Sequence, residues 1–211
     1  DTFRQLSDRI GPKRVIWRYD PILFSQSMDV RYHLHGFEAI AKRLASHTQT
    51  CVISFVDLYQ KTRRNLRATT VREPSADEIT RLAAGLASIA SSYGIRIQSC
   101  AERIDLEPMG IRHGRCIDRM LIEELQGARL NVARDRNQRP ECGCVQSVDI
   151  GVYDTCSHGC LYCYANTDTK TVCRNRGLHD LSSPLLIGRM EEGDVVKERA
   201  IRSFKVSDAL F

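Results

Sequence analysis

Three cysteines fall within eight residues, Cys156-Ser-His-Gly-Cys160-Leu-Tyr-Cys163, with the spacing CxxxCxxC. The cysteine-rich region around them has little periodicity, as expected where a metal substitutes for an apolar core. Three thiolates on one loop suit a four-iron cluster, because they hold three irons and leave the fourth open to a small molecule. The aromatic ring of Tyr162, just before the last cysteine, would shield one side of such a cluster. A structural zinc ion is the other chemistry this spacing allows, with His158 or a further cysteine completing the tetrahedron. Free thiols are the third reading.

The chain of 211 residues carries nine cysteines. An odd number excludes a complete set of internal disulfides. The close pairs Cys142/Cys144 and Cys160/Cys163 read as metal spacing in a reducing, cytoplasmic compartment. Gly143 lets the backbone bend so that both sulfurs of Cys142-Gly-Cys144 face one metal. Cys100, closing a strand, and Cys116, preceding a helix, can complete that pair as an all-cysteine zinc site or a second iron–sulfur cluster. The same two also read as small buried hydrophobes. Cys51 lies inside an apolar strand and reads as core, and Cys173 as a bystander.

Upstream of these cysteines the pattern alternates. Arg14 to Leu23 reads as a strand stopped by Pro21, and Cys51 to Leu58 as a buried strand. His35 to Ser46 has a helical apolar period. Ser75 to Tyr93 is the clearest helix, with Ser75 at the N-cap, Asp77 and Glu78 in the first turn, and Gly94 at the stop. Ile95 to Cys100 is a third strand, and Ile117 to Leu125 a further helix. Strands alternating with helices predict an α/β fold with a parallel sheet. About three βα units are visible, whereas a closed barrel takes ~250 residues. The expected fold is a partial TIM-like (β/α) barrel lacking N-terminal units, or a small open sheet. The expected division is a βα scaffold over 1–133, a cysteine-rich metal-binding region over 134–188 and a charged tail over 189–211. The chain opens on Asp1 without an initiator Met and reads as a truncated form of a longer protein.

Other polar residues carry paired readings. Asp20, Asp57 and Glu102 stand at or near strand ends, the ligand-binding face of a parallel α/β sheet, and are the candidate catalytic carboxylates. Helix capping, or pairing with Arg18, Arg63 or Arg64, is the plainer role. His33 and His35 flank a helix start as surface or capping residues, and His158 shapes the cysteine loop. The basic run Lys61-Thr-Arg-Arg-Asn-Leu-Arg67 reads as a solvated face, with phosphate contact as the alternative. The net charge of +5 permits a nucleic-acid partner without arguing for one. No apolar run approaches the ~20 residues of a membrane span.

The Cys160-Leu-Tyr-Cys-Tyr164 element within its CxxxCxxC frame resembles the cluster loop of radical S-adenosylmethionine enzymes, including spore photoproduct lyase. The wider chain resembles a bacterial family of unknown function that carries such cysteines at its C-terminus. The segments that carry this likeness are Val15-Ile-Trp-Arg-Tyr-Asp-Pro-Ile22, Cys51-Val-Ile-Ser-Phe55, Lys61-Thr-Arg-Arg-Asn65, Gly110-Ile-Arg-His-Gly114, and Asn137-Gln-Arg-Pro-Glu-Cys-Gly-Cys144 through Tyr164-Ala-Asn166. The resemblance implies a 4Fe–4S cluster on Cys156, Cys160 and Cys163, with S-adenosyl-L-methionine chelated at the open iron. One electron then breaks a carbon–sulfur bond and releases a 5′-deoxyadenosyl radical. It implies a reductant such as flavodoxin or ferredoxin and an unidentified small-molecule substrate. The cysteines come late in this chain, where radical S-adenosylmethionine enzymes place them in the first βα loop, and no Gly-Gly-Glu element is present. A zinc-stabilised non-enzymatic module and a nucleic-acid repair lyase are the alternative functions.

Overall fold

The computed structural model describes residues 1–206; the last residues of the expected charged tail, 207–211, lie outside the described residues. The chain forms two compact units, one of residues 1–56 with 70–146, the other of residues 57–69 with 147 onward. In chain order the elements are α1 (Thr2–Ile10), β1 (Trp17–Ile22), α2 (Val30–Leu44), β2 (Thr50–Phe55), α3 (Gln60–Leu66), α4 (Ala76–Ser92), β3 (Arg96–Ser99), β4 (Arg112–His113), α5 (Arg119–Gln126) and α6 (Thr169–Gly177). Helices α3 and α6 belong to the second unit and the other elements to the first.

The four strands form one parallel sheet in the order β1-β2-β3-β4. An α/β fold with a parallel sheet is therefore present, and among the described residues the sheet is open. Pro21 does not end β1 as its sequence suggests. The register shifts between Tyr19 and Ile22, the Asp20–Pro21 bond is cis, and Ile22 then pairs again with Phe55. Proline removes one ladder donor, so the strand passes it as an irregularity rather than stopping.

Side chains alternate across a strand, so register decides which residues share a face. One face presents Trp17, Cys51, Ile53 and Ile97 to Phe37 and Ala41 of α2 and to Leu82 and Leu86 of α4. Trp17 stacks on Phe37 with ring centroids 4.5 Å apart. Helix α4 starts where its sequence predicts. Ser75 Oγ accepts from Glu78 N–H while the Glu78 side chain accepts from Ser75 N–H, a capping box worth roughly 1 kcal/mol. Its apolar residues Ile79, Leu82, Ala83, Leu86 and Ala90 are buried. Gly85 lies where α4 meets α2, and a Cβ there would stand 2.5 Å from Leu34 Cδ2.

Helix α2 begins at Val30, earlier than the periodicity suggests, because Asp29 caps it by accepting from Tyr32 N–H. His33 therefore falls inside the helix. It is buried at 5% exposure, not a surface or capping residue. Its Nε2 donates to Leu23 O at 2.9 Å and its Nδ1 accepts from Tyr19 Oη at 3.0 Å. Burial, with Leu23 O and the Asp29 charge acting against it, holds its pKa below the usual histidine value. Helices α1, α3 and α6 are short and polar, and periodicity alone did not announce them. Asp168 caps α6 by accepting from Thr171 N–H.

Candidate metal centres

The second face of the sheet is polar. Pairing aligns Arg18, Val52, Gln98 and Arg112 in one row. Two residues further along each strand come Asp20, Ser54, Cys100 and Gly114, at the C-terminal ends where parallel sheets bind ligands. Cys100 extends the ladder, its N–H donating to Ile53 O at 2.9 Å. Asp20 accepts from Arg18 Nε at 2.8 Å and from Ser54 Oγ.

Gly114 turns the chain after β4. Its N–H donates to Ser99 O at 2.7 Å, and a Cβ there would stand 2.6 Å from Gln98 Cδ and 2.7 Å from Ser99 O. Only glycine tolerates this approach. The turn returns Cys116 to Cys100, with Sγ···Sγ at 3.0 Å. Arg18 Nη1 donates to Cys116 Sγ at 3.0 Å. The two thiols are coupled, so each bears on the other's titration. The Cys116 hydrogen bond, aided by Arg18 against burial, pulls the Cys100 thiol down to about 6. The thiolate beside it, together with burial, pushes Cys116 up.

Cys142 and Cys144 return along the segment that follows α5. Arg134 bridges antiparallel to Val145, Asp135 N–H donates to Cys144 O, and Arg134 Nε donates to Cys142 O at 2.8 Å. Both cysteines are buried, in a small cluster with Ala101, Cys100 and Ile117. Ile117 N–H donates to Cys144 Sγ at 3.3 Å. Burial, then the neighbouring sulfurs of Cys144 and Cys100, raises the Cys142 thiol, though its hydrogen bond with the Cys144 backbone opposes this. Gly143 has no left-handed φ. Its smallness instead makes room for Arg115, whose Cγ and Nε would stand 3.0 Å from a Cβ.

The second unit holds the CxxxCxxC loop. Asp154, at a left-handed φ of 59°, closes the loop. Its carboxylate accepts from Thr167 N–H and, at 3.0 Å, from Thr167 Oγ1, and its own N–H donates to Ala165 O. Inside this clasp Cys163 N–H donates to Cys160 O at 3.0 Å, and Gly159 takes a left-handed φ of 67°. Cys156 and Cys160 are exposed and Cys163 half-buried. His158 Nδ1 lies 3.5 Å from Cys156 Sγ. Tyr162 is at the edge of exposure, and Tyr164 makes an edge contact with Tyr153.

The basic run forms α3, and two of its residues secure the cysteine loop. Lys61 Nζ donates to Asn166 O and, at 3.4 Å, to Tyr164 O; Asn65 Nδ2 donates to Leu161 O at 3.3 Å. These loop supports were invisible in the sequence, where nothing linked residues 61–65 to residues 161–166. Asn166 Nδ2 donates to Cys156 O at 2.6 Å, while its buried Oδ1 has no partner among the described residues.

The candidate carboxylates have structural partners. Asp20 is held as described. Glu102 Oε1 accepts from Phe55 N–H at 2.7 Å, covering the end of β2. Asp57, in the second unit, accepts weakly from Tyr59 Oη at 3.4 Å. Cys51 is fully buried core, and burial pushes its thiol up to about 12. Cys173 lies exposed on α6.

As a donor set, three thiols on a clasped loop fit a four-iron cluster. Among the described residues no three His, Cys, Asp or Glu side chains already stand in a metal-holding arrangement, so binding at either cysteine group requires the sulfurs to move. Among the described residues no helix is long and apolar enough to cross a membrane. No curated protein and no solved structure matches the chain. A family model does, over residues 1–165, a span that contains both cysteine groups. The chain belongs to that family, the domain of unknown function DUF1848.

Proposed function

We propose that this protein is an iron–sulfur protein of the radical S-adenosylmethionine type, with Cys156, Cys160 and Cys163 as the ligands of a 4Fe–4S cluster. The observation that carries this reading is the loop itself. Its three thiols reach the surface or its edge, and the segment bearing them is tied at both ends by Asp154 and Thr167. A cluster bound there would supply one-electron reduction of S-adenosyl-L-methionine at the iron without a protein thiolate.

The chain's own residues position that loop. Lys61, Asn65 and Asn166 bond to loop carbonyls and leave the sulfurs unencumbered. Tyr162 and Tyr164 place aromatic surface beside Cys163. The electron comes from a flavodoxin- or ferredoxin-type donor.

Anaerobic reconstitution with iron and sulfide, followed by electron paramagnetic resonance of the reduced protein, tests the reading. The expected result is a 4Fe–4S signal that changes on adding S-adenosyl-L-methionine and is lost in Cys160→Ala. A reduced cluster indifferent to S-adenosyl-L-methionine would sink the enzyme reading. A colourless protein would sink the cluster.

A further inference from the structure

We propose that Cys100, Cys116, Cys142 and Cys144 form a tetrathiolate site for a single zinc ion on the polar face of the first unit's sheet. This does not depend on the cluster reading, because none of these cysteines lies on the CxxxCxxC loop.

The four sulfurs come from three separate segments. Cys100 continues β3, Cys116 follows the Gly114 turn, and Cys142 and Cys144 lie on the segment paired through Arg134 and Val145. Cys100 packs against the buried cluster of Ala101, Cys142 and Cys144. Cys116 stands 3.0 Å from Cys100. Nothing in the sheet's own pairing requires these segments to meet at sulfur.

The Cys100–Cys116 separation favours one ion over a cluster, and Cys142 and Cys144 must close on it. A zinc–sulfur bond of about 2.3 Å sets a tetrahedral sulfur–sulfur edge of about 3.8 Å. The Cys100–Cys116 separation must widen by under ~1 Å to reach it. A four-iron cube instead places its cysteine sulfurs on separate irons, much further apart. Four thiolates and no position for water make a closed, structural site, and all-sulfur tetrahedral coordination favours zinc.

Two neighbours suit the charge. A zinc tetrathiolate carries two net negative charges. Arg18 Nη1 lies 3.0 Å from Cys116 Sγ, and the Ile117 N–H points at Cys144 Sγ from 3.3 Å. Hydrogen bonds from such donors orient thiolate ligands and offset their charge. The segment from Gly127 to Gln146 has no helix and only isolated bridge residues, and its buried apolar contacts centre on Cys142 and Cys144. Metal would order this stretch where a core is lacking.

The test uses the full chain with Cys156→Ser, Cys160→Ser and Cys163→Ser, purified from zinc-supplemented culture under reducing conditions. We expect about one zinc per chain after gel filtration, with zinc-edge absorption showing four sulfurs at about 2.3 Å. Adding Cys142→Ser and Cys144→Ser should drop zinc to background. Should that variant fail to fold, Cys116→Ser, which alters an exposed thiol, should fold and show three sulfurs with one lighter ligand. A protein that takes up no zinc, or binds it with fewer than four sulfurs, overturns the proposal. So does full zinc retention in the Cys142/Cys144 variant. A Cys100–Cys116 disulfide that, once reduced, still binds no zinc also overturns it and marks the pair as redox thiols.

Discussion

Arg18 Nη1 donates to the sulfur of Cys116 at 3.0 Å, across 98 residues of sequence. The same guanidinium donates to Asp20 through Nε, so the arginine is held from one side and offers its charge to sulfur on the other. Before allowance for solvent exposure, a charge this close would be worth about 5 kcal/mol at an effective dielectric near 20. The Arg18 side chain is 40% exposed, which reduces the effect to ~1 kcal/mol. We therefore expect Arg18→Gln to weaken zinc binding roughly 5- to 10-fold, and Arg18→Lys to lose less. Competition against a zinc chelator of known affinity checks this. An unchanged affinity would show that the contact is incidental.

Gly114 supplies a second prediction, independent of any metal. A Cβ would stand 2.7 Å from the Ser99 carbonyl oxygen, a backbone atom that cannot swing aside. Gly114→Ala should destabilise the first unit by roughly 1–3 kcal/mol, as overpacking does. Chemical unfolding followed by Trp17 fluorescence reads it directly, since this is the only tryptophan. Gly94→Ala makes a useful contrast. A Cβ there meets nothing within 4 Å, so its cost is the left-handed φ of 67° alone.

These residues show which parts of the molecule a sequence discloses. Helix α4 was legible because its cap, its first-turn acids and its apolar period agree. The strands were legible as apolar β-branched runs. Cys100, Cys116, Cys142 and Cys144 could be grouped by residue type, but only parallel register shows that Arg18 and Cys100 share a face. Lys61 and Asn65 were opaque for the same reason. Their role depends on a contact with residues about a hundred positions away, and their composition reads as a solvated basic surface. Periodicity places His33 outside the helix, but Asp29 starts α2 earlier and carries the imidazole into the core.

His33 makes the stability of the first unit depend on pH. Its folded pKa lies below the ordinary value because burial disfavours the imidazolium. The unfolded chain therefore binds a proton near pH 6.5 that the folded chain refuses. Stability from this group is fully present above that pH and falls as the solution is acidified below it. Protonation also replaces the Nδ1 lone pair that accepts from Tyr19 with a donor. The urea midpoint should drop between pH 7 and pH 5 in the natural protein and drop less in His33→Gln. Equal slopes would locate the acid sensitivity elsewhere.

Helix α3 and the cysteine loop yield the last prediction, which separates support of the loop from ligation. Lys61 holds the carbonyls of Tyr164 and Asn166, and Asn65 holds that of Leu161, so each acts on the backbone and not on sulfur. Lys61→Met keeps much of the side chain's length and apolar stem but removes the donors. Without them the loop samples more conformations, and the entropy of ordering it around a cluster rises, by on the order of 1 kcal/mol for each residue freed. We expect Lys61→Met and Asn65→Ala to assemble a cluster with an unchanged resonance spectrum, because the ligands are intact. The same variants should lose iron to a chelator about 3- to 10-fold faster, in line with a loss near 1 kcal/mol. In the metal-free protein, Cys160 should be alkylated at a similar rate in each variant, since its thiol is already exposed. A changed spectrum would make Lys61 or Asn65 part of the cluster's immediate surroundings. Unchanged iron loss would show that the Asp154–Thr167 clasp alone holds the loop.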